Sequence, residues 1–404
     1  MLVKVTLLFA AFVQPSRAET VSLNRALELA DLQHPLLRAG EAGIEGATAG
    51  ILTARAYPNP EATVIAGKQT GQPPGAPTNV VPLYAVTQPL ELGTLRPTRI
   101  QLAQRGRESS EFYLSEVRLG VLSQVRRSFY EVLRRRSEIA IATENATLVE
   151  DLRNRIQVRV DVGEIGRLEL VRAEAEVASA RTLASSAQLE RVAALAQFRA
   201  AVGGPLDADI ELDGALEPAV QLPPLEDLRR ESLDRHPSLA LSRSEVRRAE
   251  ARLSYERALK RPQPALRGEV DMTSPSYRFG VVIPVPVLNR REGPIAEAEA
   301  GLRQVTSQAR AREIEILAAL DGAYGRYQVS QQQVAAFEQG LFREAEEALR
   351  AAETAYQLGE RGILEVLDAQ RVLRSVRLNF LNAEYDRQAA LVDLDELRAV
   401  NLRP

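Results

Sequence analysis

Two rhythms of apolar side chains divide this chain. Over most of its length they recur at three- and four-residue spacing, as in helices buried along one stripe. Short stretches shift toward two-residue alternation, which predicts strands. The alternation is clearest in the second half, where Leu266, Val270 and Met272 point one way and Arg267, Glu269 and Asp271 the other. Tyr277, Phe279, Val281 and Ile283 share one face of the next strand, so this pair is expected over 265–272 and 277–288. A weaker pair is expected near 62–67 and 81–92.

Proline and glycine place the helices between these strands. A short helix ends near His34-Pro35, because the residue before a proline is pushed out of the helical region. A second helix, over about 36–56, stops at Pro58-Asn59-Pro60. The same order returns with His236-Pro237, a helix over about 238–260 and Pro262-Gln263-Pro264. After each strand pair comes a proline-free stretch, 98–160 and 295–357, with only isolated glycines. As a single helix each would reach about 90–95 Å, more than a globular domain holds. Each turns at a Gly-x-x-Gly site and comes back as a helix, over about 168–201 and 364–400. Val334, Phe337, Leu341, Ala345, Ala348, Ala352 and Ala355 form the expected seam between helices packed side by side.

The chain is therefore written twice. The His-Pro pairs lie 202 residues apart and the Pro-x-Pro stops 204. The turn Val162-Gly163-Glu164-Ile165-Gly166-Arg167-Leu168 recurs 196 residues on as Leu358-Gly359-Glu360-Arg361-Gly362-Ile363-Leu364. The shrinking offset puts extra residues in the Gly/Pro-rich run 68–82 of the first copy. The expected division is 1–18, 19–204, a linker at 205–224 rich in proline and aspartate, and a second repeat at 225–404. Residues 1–18 read as a signal peptide: Lys4 precedes the apolar run 5–13, and Ser16-Arg17-Ala18 has the small-x-small form of a cleavage site. No later segment has the roughly 20 apolar residues of a membrane-spanning helix, so a bilayer crossing would have to be made by strands. Four strands cannot close a barrel, and lipid does not tolerate an open sheet edge. Several copies must then contribute, and three would supply an even twelve.

Composition narrows the function classes. The 404 residues include no cysteine, which excludes disulfides, thiolate zinc sites and cysteine nucleophiles. With only His34 and His236, histidine-based catalysis and histidine-rich metal sites have little support. The net charge of −3 leaves no footprint for nucleic acid. No phosphate loop, paired carboxylates or nucleophile constellation points to an enzyme or a cofactor. Three lysines leave 48 arginines, in keeping with ion-pair-rich helix faces. Arg134-Arg135-Arg136 reads as a solvated helix face, and the two histidines as turn or cap residues.

Several stretches, taken in order, resemble the TolC-like outer-membrane efflux proteins, in the branch that includes heavy-metal efflux channels. They are Tyr57-Pro58-Asn59-Pro60-Glu61, Gln88-Pro89-Leu90-Glu91-Leu92-Gly93, and Ile283-Pro284-Val285-Pro286-Val287-Leu288-Asn289-Arg290. Tyr356-Gln357-Leu358-Gly359 and Val366-Leu367-Asp368-Ala369-Gln370 complete the set. The resemblance covers nearly the whole chain after residue 18. It implies a mainly α fold with a β-barrel contribution: a homotrimer whose twelve-stranded barrel in the outer membrane of a Gram-negative bacterium continues into a long periplasmic α-helical barrel. It also implies an exit duct that works with a periplasmic adaptor (membrane fusion) protein and an inner-membrane transporter of the resistance-nodulation-division type. Pro89, Pro284 and Pro286 would lie where strands leave outer-membrane lipid for the helices.

By the same resemblance the two Gly-x-x-Gly turns are the tip where adaptor hairpins dock. Gly163, Gly166, Gly359 and Gly362 would serve tight reversals, with Val162, Leu168, Leu358 and Leu364 as an apolar rim. Glu164, Arg167, Glu360 and Arg361 are candidate gate charges, and no specific polar role is carried onto Glu169. Two alternatives stay open: an outer-membrane channel for type I protein secretion, and a soluble periplasmic coiled-coil scaffold. The cargo is not legible, because a duct need not hold the groups that select it.

Overall fold

The structure, a computed structural model, describes residues 19–68, 80–206, 210–272 and 276–400. The expected signal peptide and most of the Gly/Pro-rich run lie outside them. In the first half β1 (Glu19–Ser22) and α1 (Leu23–Gln33) lead to α2 (Pro35–Arg55), the strands β2 (Glu61–Lys68) and β3 (Val80–Pro89), and the helices α3 (Leu95–Asp161) and α4 (Arg167–Val202). The second half runs β4 (Ile210–Asp213), α5 (Leu225–Arg235), α6 (Pro237–Leu259), β5 (Ala265–Asp271), β6 (Ser276–Val282) and α7 (Glu292–Ala336). A π-helical turn (Phe337–Leu341), α8 (Phe342–Gln357) and α9 (Ile363–Leu397) complete it. The 67 residues of α3 span about 100 Å.

The histidines are caps, as their place before proline suggests. His34 ends α1 and accepts the Leu36 N–H on Nδ1 at 3.2 Å; His236 ends α5 and accepts the Ser238 N–H at 3.1 Å. Both rings must be unprotonated at Nδ1 to do so. Burial lowers the pKa of each, and His236, also repelled by Arg312, is held down to about 4. These caps are also joints. Gly203 closes α4 in a left-handed conformation, φ 67°, and a Cβ there would stand 2.4 Å from the His34 ring, so the end of α4 abuts the joint between α1 and α2. In the second half Ser232 donates to the Leu397 carbonyl at 2.7 Å and Arg398 pairs with Glu231 at 2.9 Å, seating the end of α9 beside α5.

Around these joints the helices pack side by side. Towards the sheet the order is α2, α3, α6, α7; away from it α4, α3 and α9 lie side by side, with α9 against α7 and α8. The largest core, around Phe129, Phe198 and Val125, is closed by β1 and β4, which pair in parallel. This pairing was not expected. β4 lies in the segment read as linker, and only the fold brings its four residues beside the start of the chain. A second core gathers Leu228, Leu320, Tyr327 and Leu394. There the Tyr327 hydroxyl donates to the Val220 carbonyl at 2.6 Å and accepts the Val220 N–H at 2.8 Å, pinning the linker.

Two expectations about helix faces need correction. Arg134-Arg135-Arg136 is solvated only in part: Arg136 is exposed, while Arg134 and Arg135 are half-buried. Arg134 bonds Glu131 at 2.8 Å and stands 4.8 Å over the Tyr385 ring, and Arg135 binds Glu131, Glu138 and Glu190. Arg136 donates to the Leu212 and Gly214 carbonyls at 2.9 and 2.8 Å. α9, α4 and the linker supply partners to these side chains, and none of them is visible in the local spacing. The stripe from Val334 holds at Phe337, Ala345, Ala352 and Ala355 and fails at Leu341 and Ala348, where the extra residue of the π turn disturbs the phase. Leu341 and Ala348 are exposed, while Ala345, Leu349, Ala352 and Tyr356 turn inward. Phe337, Phe342 and Phe380 cluster at the shift, with ring centroids 4.9–6.2 Å apart.

The remaining four strands form an antiparallel sheet in the order β2-β3-β5-β6. Cross-strand partners share a face. One face carries the rows Val64-Tyr84-Val270-Tyr277 and Val86-Gly268-Phe279, the other Thr63-Ala85-Glu269-Arg278 and Glu61-Thr87-Arg267-Gly280. Tyr277 and Phe279 are among the most exposed large side chains, whereas Arg267 and Glu269 pair at 2.7 Å. The last strand stops at Val282, six residues short of the expected 288, because Pro284 and Pro286 have no N–H for a ladder. Met272 lies just past β5. Among the described residues β2 and β6 each pair on one side only, and no helix is long and apolar enough to cross a membrane.

Candidate functional site

The two Gly-x-x-Gly turns meet at the end of the helical body remote from the sheet. Each helix ends in a Schellman motif, the hydrogen-bonded reversal that needs a left-handed residue after the cap. In the first turn Gly163 (φ 78°) donates to the Val160 carbonyl at 3.0 Å and Glu164 to the Arg159 carbonyl at 2.9 Å. The second repeats it: Gly359 (φ 74°) donates to Tyr356 at 3.1 Å and Glu360 to Ala355 at 3.0 Å. Gly166 and Gly362 are the extended N-caps of α4 and α9.

A shared core joins the turns. Ile156, Leu170 and Ala173 of the first half pack with Tyr356, Ile363, Val366 and Leu367 of the second. Held by that core, Val162, Leu168, Leu358 and Leu364 point outward, with Val162 73% and Leu358 69% exposed. All eight expected tip residues thus lie at one end of the molecule. Val158 and Val171, exposed beside them, extend the rim. Their sign in the sequence was slight, for single valines inside helices look like core.

The four expected gate charges are not joined to one another. Glu164 pairs with Arg159 at 2.6 Å, and Arg361, in the turn, lies 3.8 Å from Glu365 in the first turn of α9. Among the described residues Arg167 and Glu360 form no ion pair. Arg159 is the residue that sequence reasoning missed. Its guanidinium stands 4.9 Å over the Tyr356 ring, linking the two halves, and its pKa is raised first by the bond to Glu164. Burial raises the Tyr356 hydroxyl, and the Glu169 carboxylate adds to that rise. Tyr356 stood in a quoted motif and could have been singled out; nothing in the spacing marked Arg159.

Among the described residues no three His, Asp or Glu gather to hold a metal ion. What this arrangement offers is a rigid apolar rim at one end of a helical body of about 100 Å and a two-faced sheet with open edges at the other.

Comparison with known proteins matches this architecture. The family model described as "Outer membrane efflux protein" matches residues 26–204 and 228–399. The cobalt-zinc-cadmium resistance protein CzcC of Cupriavidus metallidurans is 27% identical over 386 residues, 94% of this chain and 90% of its own. The nickel-cobalt-cadmium resistance protein NccC of Alcaligenes xylosoxydans is 23% identical over 283 residues, 69% of this chain and 63% of its own. The solved structure of CusC superposes with a TM-score of 0.79 at 18% identity, over 96% of this chain and 95% of that one.

Proposed function

The chain belongs to the outer membrane efflux protein family and is an efflux channel of the outer membrane with a large periplasmic part; from that premise we propose that three copies form one continuous duct for cations of heavy metals. The observation that carries this reading is the sheet, with one apolar face, one charged face and two unpaired edges. In lipid those edges must be paired. Because β2 and β6 run in opposite directions, β6 of one copy meets β2 of the next antiparallel, and repeating that contact closes a ring. Three copies give twelve strands, with the Tyr84/Val270/Tyr277 face toward lipid and the Arg267/Glu269 face toward water. The helical layers then close into a tube below it.

The duct works by geometry and performs no bond chemistry. The apolar rim of Val162, Leu168, Leu358 and Leu364 docks a periplasmic adaptor, which couples the duct to an inner-membrane transporter of the resistance-nodulation-division type. The Arg159–Tyr356 contact, with Glu164 holding the Arg159 guanidinium, ties the two halves of the tip until docking reorders it. Similarity to two metal-resistance proteins supports the cargo, and the cations pass as solutes in a water-filled lumen. Residues 1–18 direct export, and the repeats 19–204 and 225–404 each contribute half of every protomer's wall.

Membrane fractionation followed by mass in detergent, with the bound detergent subtracted, tests the architecture. A detergent-requiring outer-membrane trimer is expected; a water-soluble species would make it a periplasmic scaffold. Loss of the gene should sensitise cells to cobalt, zinc or cadmium, and a defect confined to protein export would replace the cargo assignment. Val270→Arg should cost about 2–4 kcal/mol of barrel stability and lower the outer-membrane yield. An unchanged yield would turn that face to water.

A further inference from the structure

The two edges of the chain leave different surfaces bare where the sheet meets the helices. On one edge β6 ends at Val282, and the next six residues leave the ladder. Ile283, Val285 and Val287 are exposed there and Leu288 is wholly so. Pro284 and Pro286 have no N–H to offer a strand, and the Val287 N–H is turned back on the Val285 carbonyl at 2.9 Å. Between this segment and the elbow joining α6 to β5 lies a hollow of about 530 Å³, walled by Leu259, Pro262 and the segment itself and rimmed by Arg261 and Arg291. On the other edge, at the same end of the sheet, Leu52 near the end of α2 and Tyr57 in the elbow joining α2 to β2 are exposed. The Tyr57 ring is covered on one side, by the Arg96 guanidinium 4.4 Å away.

We propose that Ile283–Leu288 and its hollow are a socket for a second copy of this chain, with the neighbouring copy's Tyr57 as the knob. The inference rests on the ring reading above. Antiparallel pairing of β6 with the next β2 puts both elbows on the helical side of the sheet, at the seam between copies. The chemistry matches: the open side of an aromatic ring suits an apolar wall, and its hydroxyl can accept from Arg261 at the rim, Arg291 being paired with Glu256 at 2.7 Å. The prolines fit as well, since they stop β6 from extending and free the segment to close over the neighbour. The seam is thereby held below the lipid as well as by strand pairing.

The absence of cysteine makes the test clean. In the full-length mature protein, Tyr57→Cys with Leu288→Cys is treated with a short bismaleimide, beside an edge-strand control, Val64→Cys with Phe279→Cys. Fixed neighbours should yield cross-linked dimer and trimer more than about tenfold above single-cysteine controls. A photoreactive phenylalanine analogue at position 288 should label a second copy of the chain. If the strand pair links copies and the elbow pair does not, or if the photoprobe labels lipid, the socket is wrong and the ring stands. If neither pair links copies, the ring falls and the socket with it.

Discussion

The two repeats share their joints and differ in their long helices. His34 and His236 cap in the same way, and both tip glycines sit in the same hydrogen-bonded reversal. Yet α3 runs 67 residues unbroken, while its counterpart is split into α7 and α8 by the π turn. At the tip, Ile165 and Arg167 of the first turn are exchanged for Arg361 and Ile363 in the second. Ile363 is buried in the shared core, whereas Arg167 at the equivalent place is exposed. A duplicated scaffold has thus kept what makes its corners and diverged where its helices meet different neighbours.

The exchange at the tip gives the strongest test of that contrast. Ile363→Asp buries an unpaired carboxylate and should cost about 4 kcal/mol, while Arg167→Asp should stay within about 0.5 kcal/mol. Hydrogen exchange of the tip amides checks both, and equal effects would mean the turns are interchangeable. Next in size is the pH dependence of the second joint. His236 titrates at about 4 when folded, against 6.5 ordinarily, so the unfolded chain binds the extra proton between those values. Stability is therefore complete above about pH 6.5 and falls as pH drops toward 4, by up to about 3 kcal/mol. His236→Asn, which can still cap, should flatten that slope in denaturant melts, and His34→Asn should change it in the same direction.

Gly163→Val and Gly359→Val force a β-branched residue into a left-handed conformation and should cost about 1–2 kcal/mol each. Adaptor binding in a pull-down should fall, while insertion into the outer membrane stays intact. The smallest effect is expected from deleting Gly340. Removing the extra residue of the π turn lets α7 and α8 join without moving Phe342 or Ala345 out of phase, at a cost of about 1 kcal/mol or less. A large loss of stability would show that the break supports packing in its own right.

Much of this molecule can be read from local pattern. Alternation at Leu266–Asp271 settles which side chains share a face, since successive residues of a strand must point oppositely. The prolines after the histidines end the short helices wherever the chain goes next, and glycine at 163 and 359 permits reversals that other residues resist. Duplication doubled each of these signals. Arg134–Arg136 marks the limit, for their partners on α4, α9 and the linker lie far along the chain and leave no local trace.

The same limit explains the remaining differences. Pairing of β1 with β4 joins residues about 190 positions apart, and four-residue strands have too little alternation to announce themselves. The π turn follows from one residue too many between two packed faces, which only the neighbouring helix can register. Arg159 acquires its place over Tyr356 when two turns from different halves of the chain share one core. Sequence alone determined the long helices, their corners and the faces of the longer strands, because steric and solvation preferences act between near neighbours. Tertiary structure decided which charges pair and where a helix must break, because those energies depend on surfaces brought together from distant parts of the chain.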